Sequence, residues 1–254
     1  MKKYRTGLFF GDVHGESRYL DLLHPYLVDA PPDILGIVGD LFDFKEISEY
    51  DRHQRHYIGL EKLTRRVEDE IAWGNAILDR YDNDLPRTEK IFFIGNHDAR
   101  YEKFAKHEQT QFRLQDRLLE NRLHLRERGW KIVRLGGHHR VGKLYLMHGE
   151  KVNGDLFAKT AALKFRKNVR LWHHHTNQSY CITSALEGPG AIEVKAVGCM
   201  CGKDPGYLRG LTNRWINSFL VARILPNGNF QDFTINIIND RFITPEGKIY
   251  GRKA

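Results

Sequence analysis

The chain has 254 residues, of which 41% are hydrophobic and 28% charged, and its formal net charge is +8. This composition is typical of a packed globular protein and excludes a disordered or collagen-like chain. No apolar run approaches the ~20 residues of a membrane span, and the amino-terminal segment lacks the apolar core of a secretory signal. We therefore expect a cytoplasmic protein without membrane association, whose three cysteines are reduced thiols.

Three apolar runs in the first hundred residues predict buried strands, and each ends at a glycine followed by a polar residue. The runs are residues 8–10 before Gly11-Asp12, residues 34–38 before Gly39-Asp40, and residues 91–94 before Gly95-Asn96. Helices are predicted between these strands, over residues 16–28 and from residue 60 onward. In the second helix, apolar residues recur on one face. They are Leu60, Leu63, Val67, Ile71 and Leu78.

The second half of the chain contains short apolar runs that predict further strands. They cover residues 131–135, 144–147, 169–172, 179–183, 192–197, 219–225 and 230–238. Strands that alternate with helices, followed by mostly strands, predict an α/β layered domain completed by a more antiparallel second sheet. We expect a single domain over residues 1–254, in which residues 46–80 and 100–128 form helical cap segments over the active face.

Metal-capable side chains follow five of the predicted strands. They are Asp12 and His14, Asp40 and Asp43, Asn96 to Asp98, His148, and His173 to His175. In an α/β sheet the loops at the carboxyl ends of the strands converge on one edge, where ligands bind. One such cluster would be weak evidence because Asp and Gly are ordinary turn residues. Five in succession predict a single metal site.

This series resembles the motifs of the calcineurin-like metallophosphoesterase superfamily. The motifs are Gly11-Asp12-x-His14, Gly39-Asp40-x-x-Asp43, Gly95-Asn96-His97-Asp98, His148-Gly149 and His173-x-His175. They occur in the order of the family and span residues 11–175. The resemblance implies a layered αββα sandwich, in which helices flank two mixed β-sheets, and a phosphoesterase with two divalent metal ions.

The resemblance also implies how the ligands are distributed. One ion is held by Asp12, His14 and His175. The other is held by Asn96, His148 and His173. Asp40 bridges the two ions, which in such sites are about 3.5–4 Å apart. Imidazole, carboxylate and amide ligands together suit Mn²⁺, which we favour, and also Fe, Zn²⁺ or Ni²⁺.

The same resemblance implies catalytic roles for His97 and Asp43. His97 and Asn96 contact the substrate phosphate, and His97 protonates the leaving oxygen, which suits a side chain that titrates near neutrality. We expect Asp43 to orient a ligand or His97 rather than to bind metal itself. Asp98 is expected either to be one of the metal-capable residues after this strand or to orient its loop.

The last motif departs from the family pattern. Trp172 stands where a glycine is usual, and three consecutive histidines allow more than one register. Residues two apart in an extended segment point the same way. We therefore assign His173 and His175 as ligands and expect His174 at the surface or behind a ligand.

The second and third motifs separate branches of the superfamily. Phosphoprotein phosphatases and their dinucleoside-polyphosphate relatives usually have an arginine directly after Asp43 and a glutamate in place of Asp98, whereas here Phe44 follows Asp43. We therefore predict a phosphodiesterase acting on nucleic acid, as a nuclease, or on nucleotides, in which a hydroxide bridging the ions attacks phosphorus. The alternatives are a phosphomonoesterase or phosphoprotein phosphatase, and a non-catalytic nucleic-acid-binding protein.

The positive net charge favours a polyanionic partner. Residues 159–170 contain five Lys/Arg and no acid, and they lie between two metal motifs. A second basic segment lies at the start of the expected cap and contains Arg52, His53, Arg55 and His56. Either segment can equally be a solvated face. No motif predicts the oligomeric state.

Cys199-Met200-Cys201 is a pair of thiols that can bind metal or respond to oxidation. Because no second pair follows at zinc spacing, we expect ordinary thiols at the end of a strand.

Overall fold

The computed structural model describes residues 3–48, 60–107, 114–183, 191–202 and 213–252. The strands are β1 (Arg5–Phe10), β2 (Ile34–Val38), β3 (Glu89–Phe93), β4 (Lys131–Val133), β5 (His138–Val141), β6 (Leu144–Met147), β7 (Val169–Leu171), β8 (Gln178–Thr183), β9 (Ala191–Ala196), β10 (Ser218–Ile224), β11 (Phe230–Asn236), β12 (Arg241–Ile243) and β13 (Ile249–Gly251). The helices are α1 (Arg18–Asp29), α2 (Leu60–Asp84), α3 (Asp98–His107), α4 (Leu119–Arg122) and α5 (Phe157–Phe165). Among these residues no helix is long and apolar enough to cross a bilayer.

The first sheet has the strand order β11-β10-β1-β2-β3-β4. Strands β1 to β4 are parallel, whereas β10 is antiparallel to β1 and β11 to β10. The first three parallel strands are the apolar runs that end in a glycine and a polar residue. Their carboxyl ends lie side by side, so Asp12, Asp40 and Asn96 follow neighbouring strands at one edge of the sheet.

The second sheet has the order β5-β6-β7-β9-β8. Its central strands β6, β7 and β9 are parallel, and the edge strands β5 and β8 are antiparallel to their neighbours. His148 directly follows β6 and His173 follows β7 by two residues. Strands β12 and β13 form a separate hairpin.

Three apolar layers hold the sheets and helices together. Phe9, Trp172 and Leu220 belong to the layer that contains residues of both sheets. Leu8 and Phe10, on the other face of β1, belong to the layer that includes the buried faces of α1 and α2. A third layer joins α5 to the outer face of the second sheet. The predicted arrangement, two mixed sheets flanked by helices, is confirmed.

Helix α2 carries the predicted apolar face. Leu63, Val67, Ile71 and Leu78 are buried in the same layer as α1. The role of residues 46–80 and 100–128 as a cap over the active face stays a prediction. Residues 49–59 and 108–113, which include the predicted basic entrance at Arg52, His53, Arg55 and His56, lie outside the described residues.

Three elements were not predicted, and each lacks a strong apolar pattern. Strand β5 (HHRV) is an edge strand in which only Val141 is buried. Helix α5 buries mainly small side chains, Ala158, Ala161 and Ala162, which give little hydrophobic contrast in the sequence. The hairpin β12–β13 exposes Ile243 and Ile249, so alternation does not mark its inner face.

Arg170 ends the basic run at 159–170 but does not face solvent. It is 1% exposed and donates two hydrogen bonds of 2.7 Å to Asp232 on β11 and two of 2.8 Å to Glu193 on β9. This buried guanidinium links the two sheets. Arg166 and Lys167 precede β7, at the end opposite to His173, so this part of the run lies away from the edge that carries the metal-capable residues.

Candidate metal centre

Five strand ends meet where the carboxyl edges of the two sheets face each other. The loop after β1 is bonded to the loop after β2, since Asp12 N donates to Gly39 O at 3.0 Å and His14 N donates to Asp40 O at 3.0 Å. The second sheet is joined to the first because His173 N donates to Asp12 Oδ2 at 2.8 Å. All seven predicted metal ligands therefore lie in one region.

The loops at this edge have an unusual backbone. Five of the predicted ligands have positive φ, and they are Asp12, His14, Asp40, His173 and His175. Left-handed backbone outside glycine costs about 1–3 kcal/mol per residue and persists where the surroundings impose it. The concentration of strained residues in these loops marks them as a functional site.

Two glycines at the site are required by close packing. A Cβ at Gly39, which has a φ of 82°, would overlap the ring of His148. A Cβ at Gly95 would overlap the carboxylate and amide of Asp40. The glycine before Asp40 and the glycine before Asn96 therefore let side chains from two other loops approach.

One group of ligand atoms is formed by Asp12, His14 and His175. His14 Nε2 and His175 Nε2 are 3.1 Å apart, and His175 Nε2 is 3.6 Å from Asp12 Oδ1. Asp12 is fully buried, and its Oδ1 has no hydrogen-bond partner among the described residues. A buried carboxylate oxygen without a donor is unfavourable unless a cation compensates it.

The second group is formed by Asp40, Asn96, His148 and His173. His148 Nδ1 lies 3.0 Å from Val38 O, which fixes the proton on Nδ1 and leaves the lone pair on Nε2. That Nε2 lies 3.2 Å from Asp40 Oδ2 and 2.9 Å from Asn96 Oδ1. A ring nitrogen of His173 lies within 4.8 Å of ligand atoms of both Asp40 and His148. His148 Nε2, Asp40 Oδ2 and Asn96 Oδ1 can all act as acceptors, so their close approach requires a proton or a metal ion between them.

These contacts show whether the residues present can hold metal ions. Nitrogen and oxygen ligand atoms converge in two adjacent groups, Asp40 is within reach of both, and the buried Asp12 Oδ1 has no hydrogen-bond partner among the described residues. The donor set fits two divalent cations and matches the family's typical dinuclear centre.

The electrostatics favour the metal-binding forms of Asp40 and His173, whereas a cation would have to displace a proton from His148. Burial alone would raise the pKa of the Asp40 carboxyl, but the facing His148 outweighs burial and holds this pKa well below its usual range. Burial opposes charge on His148, yet Asp40 and Asp12 raise its pKa to about 10. Burial together with His148 lowers the pKa of His173 to about 4. An ionised Asp40 and a neutral His173 are the forms that bind metal.

Asp98, left open between two roles by the sequence, is a positioning residue for the loops. It is fully buried and accepts N–H groups from Asp40 and Gly95 on Oδ2 and from Phe42 on Oδ1, at 2.8–3.0 Å. Burial and the neighbouring Asp40 raise the pKa of Asp98 to about 7. Asp98 thus ties the loop after β2 to the loop after β3.

Asp43 and His97 lie in contact beside the ligand groups. His97 Nδ1 is 2.8 Å from Asp43 Oδ1, and His14 Nδ1 is 3.6 Å from the same oxygen. Asp40 Oδ1 accepts the backbone N–H of His97 at 2.8 Å. The side chains of His97 and Asp43 are 22% and 35% exposed, so substrate can reach them.

Sequence reasoning missed Arg100. Its Nη1 donates to Asp43 O at 2.8 Å and its Nη2 lies 3.1 Å from His97 Nε2. The guanidinium that the sequence lacks directly after Asp43 therefore comes from the first turn of α3. The helical spacing from His97 to Arg100 is three residues, which places both side chains on one face, and this spacing was the available signal.

Sequence reasoning also missed Glu70 on α2. Glu70 Oε1 accepts the backbone N–H groups of Asp43 at 2.8 Å and Phe44 at 2.9 Å. Phe44 has a φ of 46°, and its ring is buried and stacked on Phe42. Burial raises the pKa of Glu70 to about 7. No sequence motif links Glu70 to Asp43, because the contact joins a helix face to a distant loop.

The triple histidine is not extended, contrary to expectation. His173 and His175 both have left-handed backbone, with φ values of 80° and 57°. His173 faces Asp40 and His148, whereas His175 faces His14 and Asp12. His174 points between them toward α5, where its ring stacks on Phe157 at 3.9 Å. The reason is that bonds from His173 N to Asp12 and from Ile216 N to His175 O turn the chain directly after β7.

The chain resembles a known protein family and several solved structures. The family model described as calcineurin-like phosphoesterase matches residues 7–198, about three quarters of the chain. No curated protein gives a significant match. A solved metallophosphoesterase from Sphaerobacter thermophilus is 13% identical over 92% of this chain and 88% of that chain, with a TM-score of 0.48. A novel archaeal phosphodiesterase is 12% identical over 90% of this chain and 99% of that chain, with a TM-score of 0.42.

A predicted phosphoesterase from Streptococcus pneumoniae is 13% identical over 92% of this chain and 99% of that chain, with a TM-score of 0.34. The structural similarities have TM-scores under 0.5, whereas the family model extends from β1 through β9 and contains every loop of the metal centre. The chain therefore belongs to the calcineurin-like phosphoesterase family, whose members are phosphoester hydrolases.

Proposed function

We propose that this protein is a binuclear metal-dependent phosphodiesterase that hydrolyses phosphodiester bonds in nucleic acid or nucleotides. The observation that carries the proposal is the convergence of two groups of metal-capable side chains around Asp40, next to the partly exposed His97. Two bound divalent ions supply charge that stabilises the phosphoryl transition state and lower the pKa of water.

The residues of this chain then have separable tasks. Asp12, His14 and His175 hold one ion, Asn96, His148 and His173 hold the other, and Asp40 is shared. Asn96 and His97 contact the substrate phosphate, and His97 Nε2 delivers a proton to the leaving oxygen. Asp43 accepts Nδ1–H of His97, which stabilises the doubly protonated ring that donates from Nε2, and after donation the neutral ring keeps its proton on Nδ1.

The preference for diesters rests on the residue directly after Asp43. Phe44 is fully buried and stacked on Phe42, so this position presents no cation to a phosphate. A diester has a single negative charge on its phosphate and needs fewer cations than a monoester dianion. The net charge of +8 supports a polyanionic substrate, because basic proteins attract nucleic acid from a distance.

A phosphomonoesterase or phosphoprotein phosphatase is the second candidate, and Arg100 favours it. Its guanidinium lies beside His97 Nε2, where it can bind a second charged oxygen of a monoester. The absence of an arginine directly after Asp43 is therefore weaker evidence against a phosphatase than the sequence suggests.

Hydrolysis of bis-p-nitrophenyl phosphate and p-nitrophenyl phosphate, measured side by side, tests the proposal. Metal-stripped protein is assayed with Mn²⁺, Zn²⁺, Ni²⁺ and Mg²⁺, and Asp40→Asn serves as the blank. We expect metal-dependent activity with a higher kcat/KM for the diester. A higher kcat/KM for the monoester would favour the phosphatase, and no turnover with any metal would contradict both.

Single-stranded DNA, RNA and cyclic nucleotides are the next substrates. We expect the KM for a polymer to rise steeply with salt, because the positive charge contributes to binding through counterion release. A KM for cyclic nucleotides that is lower and insensitive to salt would instead indicate a small-nucleotide phosphodiesterase. The Mn²⁺ preference and the cytoplasmic location stay predictions.

A further inference from the structure

Cys201 lies at the metal centre, on the side of His14 and His175. Its side chain is 2% exposed. Its sulfur and one ring nitrogen of each histidine lie within 4.8 Å of one another. The two histidine Nε2 atoms are themselves 3.1 Å apart. A thiol sulfur therefore faces the same small volume as two imidazole donors.

A second observation points to a cation in that volume. Asp12 Oδ1 is fully buried without a hydrogen-bond donor among the described residues, and it lies 3.6 Å from His175 Nε2. Two imidazoles and a thiol form one group of ligand atoms, the Asp12 carboxylate lies beside it at His175, and these are the donor types of zinc sites. Sulfur in this set changes the metal preference, because thiolates are soft ligands.

The backbone around Cys201 is fixed to the loop that carries Asp12. Met200 N donates to Gly11 O at 3.2 Å and to Asp12 O at 3.1 Å. On the other side, Asn217 Nδ2 donates to Cys201 O at 2.6 Å. The thiol is thus held in place relative to Asp12 by buried hydrogen bonds, as the supporting contacts of metal ligands generally are.

Cys199 is in a different situation two residues away. Its Sγ has long contacts, at 3.7 Å to Asn217 Nδ2, 3.8 Å to Ile216 O and 3.9 Å to Cys201 O. It belongs to none of the metal-capable groups formed by the described residues. Cys199 and Cys201 are both buried and Cys181 is exposed, so the chain offers a matched control in each environment.

We propose that Cys201 binds, as a thiolate, the ion held by Asp12, His14 and His175. This inference rests on the binuclear centre of the proposed function but not on its substrate. When the ion binds, the S–H bond of Cys201 breaks, a sulfur–metal bond forms, and the proton passes to solvent.

The consequence is a centre with two unlike halves. The half with Cys201 prefers Zn²⁺ or Co²⁺, which accept sulfur ligands. The other half contains only nitrogen and oxygen donors, from Asp40, Asn96, His148 and His173, and so suits Mn²⁺ or Fe. The Mn²⁺ preference expected from the sequence then applies to the second half alone.

Titration of the reduced, metal-stripped protein with Co²⁺ under anaerobic conditions tests this inference. A thiolate bound to Co²⁺ gives a charge-transfer band in the near ultraviolet, whereas nitrogen and oxygen ligands give only the weak visible bands of the metal. We expect the wild-type protein to show both kinds of band. Cys201→Ser loses the charge-transfer band and keeps the visible bands, and Cys199→Ser and Cys181→Ser keep both.

Competition with a chelator measures the metal preference independently. We expect Cys201→Ser to lower Zn²⁺ affinity by at least about tenfold and to change Mn²⁺ affinity much less, since loss of even a supporting contact costs 10–100-fold. Cys201→Ala repeats both measurements if the serine variant does not fold.

The outcomes separate the two proposals. Visible Co²⁺ bands without a charge-transfer band in the wild-type protein would overturn the thiolate ligand and leave the metal centre intact. A charge-transfer band that persists in Cys201→Ser and disappears in Cys199→Ser would also overturn it. No Co²⁺ bands of either kind would overturn the binuclear centre itself.

Discussion

Two sides of the candidate site, the proposed metal ligands and the residues proposed to face substrate, differ in burial and in how they are held. Asp12, Asp40 and His148 are 0–2% exposed. The side chains of Asp43, His97 and Arg100 are between 19% and 35% exposed. Asp12, Asp40 and His148 are thus within the sandwich, and Asp43, His97 and Arg100 line its open rim.

The supporting contacts differ in the same way. On the buried side they involve the backbone: His148 Nδ1 meets Val38 O, and Asp98 accepts three backbone N–H groups. On the open side the backbone is also bonded, as by Arg100 Nη1 to Asp43 O, but further contacts join side chains, His97 to Asp43 and Arg100 to His97. Backbone contacts fix ligand geometry, whereas side-chain contacts can exchange for a substrate. We therefore expect substitutions on the buried side to remove metal, and those on the open side to change rate without removing metal.

Asp40→Asn is expected to have the largest effect. It removes the one carboxylate shared by both ligand groups, so we expect turnover to fall by about 10³-fold or more, since metal contributes several kcal/mol and 1.36 kcal/mol is a factor of ten. Metal content after dialysis, determined by mass spectrometry, is expected to fall below that of the wild-type protein. Asp69→Asn, at an exposed position on α2, is the control.

The contradicting result for Asp40→Asn is specific. A variant that binds two ions as tightly as the wild-type protein would show that Asp40 is not shared. Asp40 would then link the two sides only by accepting the backbone N–H of His97.

His97→Gln is expected to leave metal content unchanged and to lower kcat by about 10²–10⁴ on a diester with an alkyl leaving group. With p-nitrophenolate, which leaves without a proton, the loss is expected to be much smaller. The ratio of the two losses measures proton donation by His97 separately from phosphate binding.

Equal losses for both leaving groups would mean that His97 binds phosphate but donates no proton. His124→Asn is the matched control, since His124 is exposed and has a φ of 51° that asparagine adopts readily. We expect this variant to retain the activity of the wild-type protein with both substrates.

The residues at strand ends could be predicted from the sequence, whereas contacts with helix faces and more distant loops could not. The five candidate ligand loops and the strands before them were readable, because three buried strands are apolar runs that stop at a glycine and a polar residue, as at Gly39-Asp40, and two later runs stop at histidines, His148 and His173. The contacts of Arg100, Glu70 and Cys201 were not. They depend on which helix face or loop packs against the site, and no local pattern records that.

The triple histidine shows that residues can reach the site through a backbone geometry that the sequence did not predict. His173 and His175 were selected on the assumption of an extended segment. In the structure both lie in left-handed turns and face different ligand groups. Local alternation cannot predict turns that depend on distant contacts, here the bond from His173 N to Asp12 Oδ2. Their roles as ligands stay a prediction.

Arg100→Gln is expected to have an intermediate effect that depends on substrate charge. A hydrogen bond to a charged group contributes about 1.5–3 kcal/mol, so loss of the guanidinium is expected to lower kcat/KM for a monoester dianion by about 10–100-fold. For a diester we expect a smaller loss, and for Arg100→Lys partial recovery. Equal losses on both esters would mean that Arg100 acts only by holding Asp43 and His97. Arg65→Gln, at an exposed position on α2, is the control.

Glu70→Gln is expected to have the smallest effect on activity, and its signature is the pH dependence of stability. Burial raises the pKa of Glu70 from 4.5 to about 7 in the folded state. The folded state therefore binds a proton more tightly than the unfolded state. The resulting stabilisation is complete below pH 4.5, declines as the pH rises through 7, and amounts to at most about 3 kcal/mol.

A glutamine side chain is neutral at every pH, and its amide oxygen can still accept the N–H groups of Asp43 and Phe44. Urea unfolding of chelated protein between pH 5 and 8 is therefore expected to give a smaller decline with pH for Glu70→Gln than for the wild-type protein. Glu61→Gln, exposed on the same helix, is expected to follow the wild-type protein. Parallel declines in all three would show that Glu70 is ionised equally in the folded and unfolded states. Helix α2 would then hold the substrate-facing loop through packing at Phe44 rather than through a buried carboxyl.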